Sequence, residues 1–419
     1  GLTALHLSGN ADLYITDVIA LIEQNPGLTE LSLSDIQIDD TYAFFQALFN
    51  DETQSYYDLT ILDLSNTGLD NIDDVHNFLN LTSLNVSNNN IEFIHSIELL
   101  TQLTELNINN NPIIDIHTLL SVTGLTQLSL SGNTDILIDD VLQVIHNNPG
   151  ITKIEIADIT VTDYVHFFES LRNSETNEYL DLTVLDLSNT GLTDIDELIN
   201  FPNLTSLNLS DNNIEFAVGF EQLTQLTQLD LSNNKLIDTG LIFELSALTQ
   251  FDISGNSLID INQVTGIIQN NAKLTELGVG DIAIEDSNTF FESLRSHETN
   301  EYLALTSLNV SNTGLTESYP LNNFPQLTHV NISDNSLIEL AGFEELTQLQ
   351  QLNANNTQLI DIYPISHLTG LTALHLSGNA DLYITDVIAL IEQNPGLTKL
   401  SLGDIQIDDT YALFQSLFN

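Results

Sequence analysis

Apolar residues recur along this chain in one motif, LxxLxLxxN, in which leucine-like positions alternate with polar ones before a closing Asn. The motif starts at Leu2, Leu28, Leu59, Leu81, Leu103, Leu125, Ile151, Leu182, Leu204, Leu226, Leu248, Leu274, Leu305, Leu327, Leu349, Leu371 and Leu397. The period-2 alternation predicts a short strand in each unit. In the stretch 81–87, Leu84 and Val86 point one way, and Ser83, Asn85 and Ser87 the other. One such strand cannot bury its apolar edge alone. Stacked at about 4.8 Å, successive strands share a parallel sheet and a continuous Leu/Ile core.

The ninth position is the turning point. Asn89, Asn111, Asn133, Asn212, Asn234 and Asn256 can hydrogen-bond the backbone where the chain leaves the strand. A column of them would satisfy polar groups that are costly to bury unpaired. Thr67, Thr190 and Thr313 keep a hydrogen-bonding group there. Ile36, Ile159, Ile282 and Ile405 do not, so the column is expected to break at those units.

Spacing between motifs predicts what returns each strand. Units of 22 residues leave room for only a short turn. Units of 26 carry Val18, Ile19, Leu21 and Ile22 at helical spacing. Units of 31 carry a helix-start signal, Asp39-Asp40-Thr41, followed by YAFFQALF and a polar loop, NDETQSYYD. The lengths 26, 31, 22, 22 and 22 repeat as a 123-residue super-repeat of five units, with Leu2, Leu125, Leu248 and Leu371 in one phase. The expected fold is one α/β solenoid over residues 1–419, with a parallel β-sheet on the concave face and short turns and helices on the convex face. The alternation of return lengths favours a long superhelix over a uniform horseshoe.

A longer period lies above this one. Residues 1–50 and 370–419 differ at four places only, Glu30/Lys399, Ser34/Gly403, Phe44/Leu413 and Ala47/Ser416. The offset is 369 residues, three super-repeats.

The 22-residue units, such as LTSLNLSDNNIEFAVGFEQLTQ over 204–225, resemble the leucine-rich repeats of bacterial internalin-like surface proteins. The longer units resemble helix-bearing repeats of the ribonuclease-inhibitor type. The resemblance covers the whole chain. It implies a leucine-rich-repeat solenoid that recognises proteins through its inner sheet face. One departure is that no polar terminal unit is visible, whereas an isolated solenoid is expected to have capping units. Continuation of the array, or stacking of copies, is the expectation that follows.

Composition narrows the partners. With 59 acidic and 6 basic residues the formal net charge is −53. Nucleic acids and anionic membranes are excluded as partners, because both are bound by matching phosphates with Lys and Arg. There is no Cys, so no thiolate chemistry or disulfide. There is also no Met, which points to a processed or excerpted chain, and no apolar stretch approaches a membrane span. An acidic, Cys-free chain rich in Asn, Ser and Thr suggests an extracellular or cell-surface setting.

Candidate chemistry is sparse. Ten His include no HExxH pair, and His6 and His375 are copies at exposed strand positions. Ser occupies twelve of the seventeen equivalent strand positions, the mark of a solvated ladder and not of one activated nucleophile. Gly278-Val279-Gly280 falls on strand positions and lacks the context of a phosphate loop. Catalytic residues are therefore none, and no cofactor is required. The acidic pairs Asp39-Asp40, Asp73-Asp74, Asp139-Asp140 and Asp408-Asp409 are the calcium candidates, weighed against helix capping, which needs Asp at the same places. Diffuse cations around the whole chain are the third reading. The seven Asn-x-Ser/Thr sequons follow from the repeat pattern itself.

Two functions fit. The first is a structural segment of an extracellular fibre or giant repetitive surface protein, assembling by repeat stacking through self-association. The second is an adhesin or protein-binding module using Asp63, Asn85, Asn107, Asp186, Asn208, Asp230, Asp252, Asn309 and Asn331 on the concave face. Those positions lack the aromatic and Arg anchors of a strong hot spot, which leaves a cationic partner.

Overall fold

The computed structural model describes residues 1–417. Phe418 and Asn419, the last two residues of the 370–419 copy, lie outside that range. The chain divides into two compact units, Gly1–Leu192 with Asn200–Leu207, and Thr193–Ile199 with Asn208–Asn419.

Each of the seventeen motifs forms one three-residue strand. In the first unit Ala4–His6 pairs in parallel with Glu30–Ser32, then Ile61–Asp63, Ser83–Asn85, Glu105–Asn107, Gln127–Ser129, Lys153–Glu155 and Val184–Asp186. In the second unit the run is Gln228–Asp230, Gln250–Asp252, Glu276–Gly278, Ser307–Asn309, His329–Asn331, Gln351–Asn353, Ala373–His375 and Lys399–Ser401. The register has no shift. Leu31 faces Leu62, which faces Leu84, and Leu277 faces Leu308, which faces Val330. The fourth motif position therefore stacks on itself, and it is buried in nearly every repeat. Burying each such side chain contributes roughly 1.5–3 kcal/mol.

Return structure follows unit length. The 22-residue units return through single 3-10 turns, such as Asp73–Asn77, Ile97–Leu99 and His117–Ser121 in the first unit. The 26-residue units return through Ile15–Glu23, Ile138–His146, Ile261–Asn270 and Ile384–Gln393, and the 31-residue units through the seven-residue helices Thr41–Ala47, Tyr164–Ser170, Ser287–Ser293 and Thr410–Ser416. In the shorter helices an Asp side chain caps the free N–H groups of the first turn. Asp40 accepts from the Ala43 N–H at 2.9 Å, Asp163 from His166 at 2.9 Å and Asp409 from Ala412 at 2.8 Å. The polar loop after Thr41–Ala47 is an antiparallel hairpin, Phe49–Asn50 with Ser55–Tyr56, a pairing that the loop's composition did not suggest.

Aromatic rings fill the space that these helices open. Phe45 lies 6.2 Å from Phe78, and Tyr56 meets Phe78 edge-on at 5.6 Å. The cluster recurs one super-repeat on, with Phe168 and Tyr179 against Phe201, and again with Phe291 and Tyr302 against Phe324.

Of the helical set Val18, Ile19, Leu21 and Ile22, Val18 and Ile22 are buried, whereas Leu21 is 42% exposed. Leu390 occupies the same place 369 residues later and is 1% exposed. The difference is the neighbour, because Leu390 has the 349–370 repeat before it. The pattern reverses on the other side, where Phe45 and Leu48 are fully covered but Phe414 and Leu417 are 59% and 48% exposed. Near-identical sequence thus buries complementary halves, depending on which repeat stands beside it.

Candidate functional site

The polar edge of each sheet is the surface that the sequence singled out. All nine residues proposed for a binding face have a carbonyl or carboxylate oxygen tied into the end of their own strand. Asp63 Oδ1 accepts from the Ser65 N–H at 3.0 Å and its hydroxyl at 2.8 Å, and Asn85 does the same with Ser87. Asn107 accepts from the Asn109 N–H, Asp186 and Asn208 from Ser188 and Ser210, and Asp230 and Asp252 from the N–H groups of Ser232 and Ser254. Asn309 and Asn331 close the set on Ser311 and Ser333. Here the Asp or Asn carbonyl mimics the backbone of a turn. The next residue but two takes positive φ, as at Asn66, Asn88, Asn189 and Asp334, which Asn and Asp tolerate. One oxygen of each is therefore structural, and the other polar atom is what faces outward.

Charge on this face stays negative. Glu105 accepts from Ser83 and Gln127, and Glu155 pairs with Lys153 at 2.9 Å. No aromatic residue stands at a strand position. The exposed aromatics lie on the return side, at Tyr14, Tyr42, Phe93, Tyr319, Tyr363 and Tyr383 among others.

The zero-shift register places Asp230 directly beside Asp252. Burial pushes the Asp252 carboxyl up from its ordinary value, the Asp230 charge adds to this, and the Ser254 hydrogen bonds oppose it. Its carboxylate lies over Gly278, where a Cβ would come within 2.3 Å of it. The Gly-Val-Gly run is therefore a gap in the polar edge. Across it Asn309 Nδ2 reaches Ser254 Oγ at 3.3 Å, and the Gly280 N–H donates to the same oxygen at 2.9 Å. A raised carboxyl costs stability while ionised, and the cost disappears as pH falls through its folded value. Asp252→Asn, which matches the residue at 85 and 309, is expected to stabilise the protein at pH 7 by on the order of 1 kcal/mol. The gain over wild type should shrink at pH 3. Paired thermal melts at both pH values check this.

The calcium candidates divide. Asp40 and Asp409 spend an oxygen on the helix caps described above, and Asp39 and Asp408 precede them on the surface. Asp139 and Asp140 sit in the first turn of Ile138–His146, whose cap residue is Leu137, so neither is a capping side chain. Asp140 instead lies 3.6 Å from His117. Among the described residues no three His, Asp or Glu side chains converge as a metal-ligand set. No helix among them is long and apolar enough to cross a membrane.

The Asn column is as the repeat requires. Asn89 Nδ2 donates to the Leu64 and Val86 carbonyls at 2.9 Å, while its Oδ1 accepts from Thr67 and Leu69 N–H groups. Where Ile36 replaces Asn, the Leu33 carbonyl accepts from the Ile36 N–H instead. A second column escaped the sequence reading. Buried Asn148, Asn271 and Asn394 each bond two carbonyls and one N–H behind the long helices. Their signal is the recurrence of Asn every 123 residues, outside the strand motif.

Comparisons agree with this geometry. A family described as Leucine Rich repeats (2 copies) matches residues 181–218, and one described as Leucine Rich Repeat matches 225–246. No curated protein matches the chain. Among solved structures, the functional domain of InlJ from Listeria monocytogenes, which includes a cysteine ladder, is 24% identical with a TM-score of 0.47. It covers 95% of this chain and 71% of its own. A leucine-rich-repeat protein of Leptospira interrogans is 21% identical with a TM-score of 0.46, covering 95% and 89%. The internalin InlF of Listeria monocytogenes is 21% identical with a TM-score of 0.31, covering 99% and 84%. One strand per motif, like positions in register, an Asn column under the turns and family matches inside the array together make this chain an α/β leucine-rich-repeat solenoid.

Proposed function

We propose that the chain is a structural segment of a repetitive extracellular or cell-surface protein, whose periods stack on one another in register. The observation that carries this reading is the complementary burial of the two 369-residue copies. The face that leaves Leu13 and Leu21 exposed in one copy is covered in the other, where Leu382 and Leu390 are each 1% exposed. A repeat like 349–370 is thus the natural cover for the start of a period, in the same chain or in another. Identical contacts at each junction suit an open array. The charge keeps such an array soluble until cations screen it. Electron microscopy with Ca²⁺ and with EDTA tests this. Fibres with a regular axial period are the expected result, with dissolution in EDTA if cations hold the charge. Discrete single particles in both conditions would refute assembly by this segment.

A second reading is recognition of a cationic protein on the sheet face. It is favoured by the outward oxygens of Asp63, Asp186 and Asp230, whose partner oxygens the turns already hold. Saturable binding of a basic protein, lost on Asp→Asn substitution at those three positions, is what this reading requires.

A further inference from the structure

The return side of the second unit contains a groove of about 840 Å³ lined by Tyr363, Tyr383, Asp361, Asp381, Asp386 and Asp408, together with apolar residues between them. Both tyrosines are largely exposed, and no Lys, Arg or His stands in the lining. The first unit holds the equivalent place 246 residues earlier, where Asp115 corresponds to Asp361, Asp140 to Asp386, and His117 to Tyr363. There the imidazole sits between the two carboxylates, with Nδ1 2.6 Å from Asp115 and Nε2 3.6 Å from Asp140. Hydrogen bonding to Asp115, and then the charge of Asp140, raise the His117 pKa, so the pair favours a cation between them.

We propose that the groove at 360–408 binds an external organic cation, the guanidinium or ammonium group of an Arg or Lys side chain, between Asp361 and Asp386 and against the rings of Tyr363 and Tyr383. The backbone frame is shared by the two places: Asp361 Oδ1 accepts from the Tyr363 N–H at 2.6 Å, as Asp115 accepts from His117 at 2.8 Å. What differs is the side chain between the carboxylates, a cation that the protein supplies in one case and an aromatic ring in the other. A cation over a tyrosine face is attracted by the ring quadrupole, and more strongly where carboxylates share the site. The carboxylates do not converge as metal ligands, which suits a planar or alkyl cation and not a bare ion. A smaller groove of about 360 Å³ at Ala11–Thr16, Gln37 and Asp39 repeats one wall of this one, with Tyr14 in place of Tyr383. It lacks the opposite wall that Asp361 and Tyr363 provide.

The probe is N-acetyl-arginine amide, whose single charge gains little from the acidity of the whole chain. Its binding to the full chain is followed by ligand-detected NMR at about 0.15 M salt, where the Debye length is roughly 8 Å. One saturable site is expected. Asp386→Asn should weaken it roughly tenfold, the scale of one charge contact, while Glu298→Gln, which removes an equal charge from an exposed loop, should leave it within about twofold. Tyr363→His recreates the arrangement that the first unit already folds. It should abolish binding at pH 5.5, where an imidazole between carboxylates is protonated. Equal losses in Asp386→Asn and Glu298→Gln, undiminished binding in Tyr363→His, or uptake that never saturates would each overturn the proposal in favour of diffuse cation attraction.

Discussion

Asn379→Ala is expected to destabilise the protein by roughly 3–5 kcal/mol, because it strips several buried backbone groups of their only partner at once. The Asn379 side chain is fully buried. Its Oδ1 accepts from the Thr357 N–H, the Thr357 hydroxyl and the Leu359 N–H, and its Nδ2 donates to the Ala354 and Leu376 carbonyls at 2.8 Å. Alanine supplies none of these bonds, and the site is too tight for the backbone to turn to water. The same substitution has an internal control. Asn10 is the copy of Asn379, but it is exposed and its Nδ2 bonds only the Leu7 and Ser8 carbonyls. Asn10→Ala is expected to cost under about 1 kcal/mol. Urea unfolding followed by tyrosine fluorescence measures both. Because repeat arrays lose cooperativity, hydrogen exchange should show the Asn379 loss concentrated in repeats 349–397.

The melting temperature should rise by on the order of 10 °C between about 10 mM and 0.5 M NaCl. The cause lies in the register as much as in the net charge of −53. Parallel pairing without shift stacks each position on its own repeat copy, about 4.8 Å apart. Wherever two successive repeats carry an acid at that position, as Asp230 and Asp252 do, like charges are held side by side. Unfolding separates them, so screening favours the folded state. A melting temperature that stays flat across this range would remove self-repulsion as a significant term.

Much of the architecture was legible because a solenoid repeats its instructions. Unit length alone separated the 3-10 returns from the helical ones, and Asp40 and Asp409 announced their helices by standing just before an apolar run. The Asn column could be placed because its position is fixed within the motif. What the sequence hid were relations between repeats. The second column at Asn148, Asn271 and Asn394 lies outside the motif. The exposure of Leu21 depends on a neighbour that the local sequence does not mention. The proposed binding-face residues looked like a free polar surface, whereas their first oxygen ends the strand. The groove joins Asp361 to Asp386 across two repeats, and only the equivalent His117 shows what such a pair can hold.

The central claim is that the repeat standing next to a residue sets its burial and its energetic weight, and the paired substitutions Leu390→Ala and Leu21→Ala test it most directly. Both leucines sit in identical local sequence, with 1% and 42% exposure. Unfolding free energies should fall by roughly 2–4 kcal/mol for Leu390→Ala and by under about 1 kcal/mol for Leu21→Ala. Equal losses at the two positions would contradict the account, since local sequence and not stacking would then be what stabilises the fold.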